Sequence, residues 1–465
     1  MDDGAHETPT STEVAGRDLI SELSDDLLLQ ILSFLPAASE VARTTVLSRR
    51  WRHLWPNAVS LRFAVGREPK RYDELDDVDD ACALIDAASA VLERRAAGGG
   101  PDVEDVEVSF VYSAEDNEYV EALDSVGYDY YHLHGAYVTS AHLATWLSFG
   151  ASHVTRRFTL AVPVMRKPRG QHVDEEGEVV VAEEAAGLEG QGTALFAELP
   201  GSARVHEMSL TLGKAILNVP TTGTFYTLTD LLLSHARLNA GDGDDLRLGH
   251  LLSSSCSPRL RRVHLSYISG LSTLRLTASS LWELHLLGLR NLKTLEVNAP
   301  GLLALTVEEC YHGIKAARIS APLLELLGCG HIGHVPKLQF DGAASLRRID
   351  DLHFYSHRLP RDHDVDNSAA LWFLRHCTAV NQLDVDLCLS IWPLENINEE
   401  EEMADYEDMM MDVPELPNVI SLTIRINSVF GHGHTVGATL AKLITNKHAD
   451  AYVDTHHKQP QLAPQ

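Results

Sequence analysis

The sequence predicts an α+β, multi-domain chain: a small N-terminal helical unit followed by an α/β solenoid of irregular short repeats. Three observations carry that prediction. At 465 residues the chain exceeds one compact core of ordinary size, so several units or a repeat array are required. Hydrophobic residues make up 45% of it but aromatics only 6%, with leucine dominant. That bias suits a stack of thin layers better than a globular core built on aromatic anchors. From Leu260 onward a pattern L-x-x-L-x-L returns every 21 or 22 residues, a spacing typical of stacked repeats.

The first unit occupies residues 18–60, after a polar and acidic stretch, 1–17, expected to be disordered. Ser24, followed by Asp25 and Asp26, is a helix start: the serine can cap orphan N–H groups and the carboxylates oppose the dipole. Leu27, Ile31 and Leu35 then fall at i, i+4 and i+8, with Leu28, Leu32 and Phe34 broadening the stripe. Pro36 ends that helix. Ser39 and Glu40 open a second, carrying Val41, Thr45 and Val46, and Leu47 to Trp55 supplies a third segment closed by Pro56. So short a segment cannot bury this much apolar surface alone, and the surplus implies a partner groove.

The residues that carry this stripe also carry a resemblance. Leu23, the Leu27/Ile31/Leu32 helix, the Phe34-Leu35-Pro36 stop and the run Val46-Leu47-Ser48-Arg49-Arg50-Trp51-Arg52-His53-Leu54-Trp55 closely resemble an F-box. The ending is especially similar to that of plant F-box proteins with leucine-rich repeats, of the F-box/FBD/LRR kind. The resemblance implies docking to a Skp-type adaptor, and through it to a cullin scaffold, by Leu23, Ser24, Leu27, Ile31, Leu35 and Pro36. Ser24 stands where the family usually has proline; it can start the same helix, so the departure bears on adaptor affinity and not on the fold. Some of these leucines must also serve the unit's own small core.

Residues 61–101 read as an acidic linker and a connecting helix, Ala81 to Arg95, ended by Gly98-Gly99-Gly100-Pro101. Residues 102–426 read as the leucine-rich-repeat solenoid, with acidic insertions near 166–190 and 395–412. Val103 to Val111 alternates like a strand, and Phe158-Thr159-Leu160 suggests another. Coils open at Leu260, Leu281, Leu302, Leu324 and Leu346. Halfway between lie Leu271-Leu274-Leu276 and Leu292-Leu295-Val297, which predict an extended segment on both sides of each coil. Ala299-Pro300 and Ala321-Pro322 mark one corner, where proline suits a bend outside the ladder. Weaker repeats flank the array: Val205-Met208-Leu210 and Leu228-Leu231-Leu233 before it, Val380-Leu383-Val385 and Val419-Leu422-Ile424 after it.

In such a stack the leucines are core, and binding falls to the residues between them. His264, Arg275, Glu283, His285, Glu296 and Thr306 are therefore the candidates for contact with a target protein, all expected on one inner strand face. Leu416-Pro417-Asn418-Val419 to Gly437, with Gly431-His432-Gly433-His434, resembles the segment that closes the repeats in related plant proteins. After about Ile444 the chain turns polar, so 427–465 is expected to be partly disordered and the array's C-terminal cap incomplete.

The net charge of −28 resides almost entirely in four stretches, 68–80, 102–124, 166–189 and 395–412. Such runs are usually solvated loops, and they argue against nucleic acid, which needs a concentrated basic face. No run of about 18 apolar residues could span a bilayer, and the N-terminus lacks the basic start and apolar centre of a signal peptide. Six scattered cysteines, Cys82, Cys256, Cys310, Cys329, Cys377 and Cys388, read as reduced thiols of a cytosolic or nuclear protein.

Hydrolase, zinc-protease and phosphate-loop motifs are missing from the sequence. Gly328, Gly330 and Gly333 match a dinucleotide-loop spacing, but Pro336 forbids the helix such a site needs, leaving a turn between coils. Cys310, His312, Cys329, His331 and His334 fit no closed zinc site, and Asp350-Asp351 lie on a predicted turn without an acid/base partner. No enzyme, metal or cofactor is expected. The readings left are a substrate receptor of an SCF-type ubiquitin ligase, an adaptor-binding scaffold or non-functional F-box protein that delivers no substrate, and a receptor holding a small ligand in the array.

Overall fold

A computed structural model describes residues 22–64, 76–109, 138–162, 195–239, 243–310, 314–328, 337–355, 367–390, 416–429 and 450–454, with a few isolated positions and two-residue strands between them. Between Leu260 and Ile349 each coil offers two short pieces in which apolar and polar residues alternate, and both become strands. One set, Arg262–Ser266, Glu283–Leu287, Ala304–Glu308, Leu326–Gly328 and Arg348–Tyr355, pairs in parallel in one large sheet. The other, Thr273–Thr277, Thr294–Asn298, Ala316–Ser320 and Lys337–Asp341, forms a second, four-stranded parallel sheet. The chain thus alternates between the sheets, and Leu284, Leu286, Leu295 and Leu305 join one continuous buried core.

Among the described residues the large sheet has fourteen strands and does not close into a barrel. It begins at Ser60–Ala64 and runs through Val103–Ser109, Val154–Val162, Glu207–Asn218 and Asp230–Arg237 to the coil strands. It then continues through Gln382–Ser390, Ser421–Val429 and Asp450–Asp454, with Phe196–Glu198 paired beside Glu207–Asn218. Two sequence expectations need correction here. Ser60–Ala64 was expected at the boundary between helical unit and linker, yet it is the sheet's first strand, because Leu61 and Phe63 alternate inward. Beyond Ile444, where the repeat pattern was expected to have ended, Asp450–Asp454 adds one more parallel strand.

Where the strands of the large sheet end, the chain bends through left-handed backbone. His235, Tyr267, Gly288 and Glu309 each follow residues that are in register across neighbouring strands, and all have positive φ. The Tyr267 ring lies over Gly288, where an added Cβ would come within 2.5 Å of it, and its hydroxyl donates to Glu309 Oε2 at 3.1 Å. His235 stacks on the same ring.

Helices close the edges of the small sheet. Asp244–Leu251 lies along Thr273–Thr277, so close that a Cβ on Gly249 would meet the Arg275 carbonyl oxygen at 2.2 Å. Thr277 N–H donates to Ser253 Oγ at 3.0 Å, and the Ser272 hydroxyl donates to Asp245 Oδ2 at 2.7 Å. At the opposite edge, Phe340 packs edge-on against Trp372 and Phe373 of the helix Ser368–His376. Nearer the N-terminus, Asp76–Ala97 packs on Ser140–His153, with Trp146 fully buried and donating to Ser89 Oγ at 3.1 Å. The helices Ser140–His153, Asp244–Leu251 and Ser368–His376 are not expected from the sequence pattern. Among the described residues, no helix is long and apolar enough to cross a membrane.

The contact at Gly249 is with backbone, which cannot rotate away. Gly249→Ala is expected to cost about 1–3 kcal/mol, read as a lower denaturant midpoint with an unchanged slope.

Candidate functional site

The N-terminal unit folds as α1 (Asp25–Ser33), α2 (Ala38–Arg43) and α3 (Arg49–Leu54), with 3₁₀ turns at Thr44–Val46 and Trp55–Asn57. Ser24 caps α1, its hydroxyl accepting from Leu27 N–H at 3.4 Å. Arg50 of α3 reaches back to the same end, donating from Nη2 to the Leu23 carbonyl at 2.6 Å and from Nε to Asp25 Oδ1 at 2.7 Å. Leu28 and Leu32 turn inward with Val41, Trp51 and Leu54. That small core leaves Leu27 47% exposed, Ile31 41% and Phe34 77%, together with Val46 and Leu47. Of the six residues read as docking the adaptor, Ser24, Leu27, Ile31 and Pro36 are exposed, while Leu23 and Leu35 are half-buried against the core. The three-residue stripe therefore splits, its last member leaning inward. Phe34, Val46 and Leu47, outside the expected docking set, also stand open. Their mark in the sequence was an apolar side chain off the inward stripe.

The outward face of the large sheet carries the second group. His264, His285, Thr306, Gly328 and Asp350 are in register on successive strands. The two imidazoles lie 4.2 Å apart between ring centres. Burial and the neighbouring His285 push His264 down to about 4 against the pull of Glu308, so it is uncharged at neutral pH. His285 Nε2 sits 3.8 Å from Glu308 Oε2, and Glu283 lies beside Arg262, which pairs with Asp230.

Of the six residues expected on one face, the structure brings together only His264, Glu283, His285 and Thr306. Arg275 and Glu296 belong to the small sheet, where they are in register and bonded to each other at 2.6 and 3.1 Å. The correction has a simple cause: both strands of a coil show the same leucine alternation, so the pattern does not say to which sheet a polar residue belongs.

Asp350 and Asp351, expected on a turn, lie inside the strand Arg348–Tyr355 at a bulge, with Asp351 at φ 53° and the register shifting between Ile349 and Leu352. Arg348 Nε donates to both oxygens of Asp350, at 2.7 and 2.9 Å, and Arg425 bonds Asp351 and lies 3.2 Å from Asp384. Burial, with help from Asp350 and Asp386, pushes the Asp384 carboxyl up to about 6.

The family model for the F-box domain matches residues 20–62, which spans α1 to α3 and the open apolar face. This segment is an F-box. An F-box/LRR-repeat protein of Arabidopsis thaliana is 52% identical over 56 residues, 12% of this chain and 11% of its own. F-box/LRR-repeat protein 25 of the same plant is 52% identical over 46 residues, 10% of this chain and 18% of its own. A putative F-box/FBD/LRR-repeat protein of that plant is 47% identical over 60 residues, 13% of each chain. The match thus spans between about a tenth and a fifth of the length of these curated relatives. Over these residues the chain is similar to plant F-box/LRR-repeat proteins.

The other chemical candidates of the sequence are buried or lie outside the described residues. Cys256, Cys310 and Cys377 are buried free thiols, and burial pushes Cys310 up to about 11 and Cys377 up to about 12. The side chains of Cys82 and Cys388 lie outside the described residues, as do His312, Cys329, Gly330, His331, Gly333 and His334. Gly328 ends a strand of the large sheet. Among the described residues, no group of three or more His, Cys, Asp or Glu side chains could hold a metal ion.

A raised carboxyl means that the folded state holds a proton that the unfolded chain has already released. The stability this gives is present at low pH and is lost as pH rises through about 6. Asp384→Asn removes the effect, so its thermal midpoint should gain on the parent's between about pH 5 and about pH 7.5. A constant difference over that range would sink the assignment.

Proposed function

We propose that this chain is the substrate-recognition subunit of an SCF-type ubiquitin ligase, its F-box binding a Skp-type adaptor and its sheets forming one leucine-rich solenoid that binds a target protein. The observation that carries the reading is the split within α1. Leu28 and Leu32 satisfy the unit's own core, and Leu27 and Ile31, one residue back, stand open with Phe34. Apolar side chains held in the open on a fixed helix are what a partner's groove buries. The F-box match supports a Skp-type adaptor as that partner. Ser24, Leu27, Ile31 and Pro36 form the open part of the docking set, with Leu23 and Leu35 buttressing it from the core side.

The mechanism is positioning. The adaptor and cullin hold the F-box near the ubiquitin-carrying enzyme, and a target on the solenoid experiences a raised effective concentration of that enzyme. His264, Glu283, His285 and Thr306 are the part of the predicted target set that shares one face. The proposed role needs no catalytic group in this chain and is compatible with a cytosolic or nuclear site of action.

Leu27→Ala combined with Ile31→Ala is expected to weaken adaptor binding by at least about 30-fold, measured by titration with purified adaptor. Far-UV circular dichroism and the thermal midpoint should remain at parent values because neither side chain belongs to the core. Undiminished adaptor binding in a folded double variant would overturn the reading.

A further inference from the structure

The N-terminal end of the docking face is not held by α1 alone. Ser24 stands just before the helix with φ −67° and ψ 159°, and its side-chain cap to Leu27 N–H is 3.4 Å long. An N–H···O bond of that length is weak. Leu23, also in the docking set, lies outside the helix's internal ladder. The stronger restraint on this end comes from Arg50, 27 residues beyond Leu23 in the chain.

The Arg50 guanidinium grips both sides of the junction. Nη2 donates to the Leu23 carbonyl at 2.6 Å, and Nε and Nη2 lie 2.7 and 2.5 Å from Asp25 Oδ1. These charge-assisted bonds are shorter and stronger than the serine cap. Their use is not simply electrostatic stability. A cation beside the first turn of a helix opposes the dipole, and the Arg50 and Asp25 side chains are 37% and 62% exposed, where an ion pair adds little. What the grip fixes is direction. The Leu23 carbonyl belongs to the rigid peptide between Leu23 and Ser24, whose orientation is set by ψ of Leu23 and φ of Ser24. Those two torsions decide where Leu23 and Ser24 stand relative to Leu27 and Ile31.

We propose that Arg50 is a positioning residue for adaptor binding: it holds the Leu23–Ser24 peptide, and so the N-terminal end of the docking face, in the bound orientation before the adaptor arrives. This rests on the reading that the F-box binds a Skp-type adaptor. Without the grip the peptide turns about both torsions, and only the fraction of chains in the right orientation can dock, so the apparent affinity falls by that fraction. Proline at position 24 restrains the same two torsions covalently. Its ring fixes φ near about −65°, where Ser24 already sits, and disfavours the helical range of ψ at the preceding residue. Proline there therefore makes Arg50 largely dispensable for binding.

The test is a double-mutant cycle on the full chain, titrated with a purified Skp-type adaptor. Arg50→Gln alone should weaken binding at least about fivefold. In a Ser24→Pro background the same change should weaken it less than about twofold. Any change in direct contact at position 24 is common to both arms of the cycle and cancels. Hydrogen exchange supplies the readout that a merely structural role would not give. Amides in the first turn of α1 should exchange faster in Arg50→Gln and recover with proline, while those of α2 keep their parent rates. If exchange quickens equally in α2, or if the affinity loss is the same in both backgrounds, Arg50 only stabilises the unit and the proposal is overturned. Undiminished binding by Arg50→Gln overturns it as well. The parent chain and the Leu27→Ala, Ile31→Ala variant separate these outcomes from failure of the underlying reading. If the parent does not bind adaptor, or the double alanine variant binds as tightly as the parent, the adaptor reading fails and the proposal with it. If the parent binds and the double alanine variant is weakened, a failed cycle overturns the role of Arg50 alone.

Discussion

Every coil of this protein has to return its chain to a strand beside the previous one, about 4.8 Å away and pointing the same way. The residue-for-residue register from Arg262 through Glu283 to Ala304 meets that constraint, and the rest of the molecule is arranged around it. Because the register is constant, Val263, Leu284 and Leu305 stack in one column, and the residues between them stack in others. The left-handed bends at His235, Tyr267, Gly288 and Glu309 recur for the same reason: each strand must leave the sheet at the same place and turn the same way. Non-glycine residues in that conformation cost about 1–2 kcal/mol each, which the surrounding ladders have to offset.

The same constraint explains what could be read from the residues. The spacing of Leu260, Leu281, Leu302 and Leu324 disclosed the coils because a constant register demands a constant period. Leu271-Leu274-Leu276 disclosed the second strand of a coil. Membership of a sheet was not legible, since Arg275 and His264 sit in identical local patterns, and only pairing across the chain separates them. The bulge at Asp351 was hidden for a related reason. Two adjacent aspartates favour turns locally, whereas Arg425, from a strand 74 residues on, bonds Asp351 inside the ladder. The helix over Asp244–Leu251 left only a weak signal, because its place depends on the close approach that Gly249 allows.

In the F-box the sequence was more informative about identity than about geometry. The motif named the segment, and apolar surplus indicated that some leucines had to face outward. Which ones did so depended on packing: Leu28 and Leu32 meet Trp51 and Leu54, so Leu27 and Ile31 are left on the other side of α1. Arg50 then binds the start of α1 to α3, and the open residues are carried on a braced helix instead of a free one.

Ser60–Ala64 gives the F-box a second identity, as the end piece of a sheet. Its strand pairs on one side with Val103–Ser109, and α1 and α2 pack against it. Were the N-terminal unit cut away, Val103–Ser109 would become the terminal strand, its backbone donors and acceptors open to any extended chain nearby. The helical unit thus covers the first strand of the large sheet, and a chain truncated after it is expected to be more prone to aggregate.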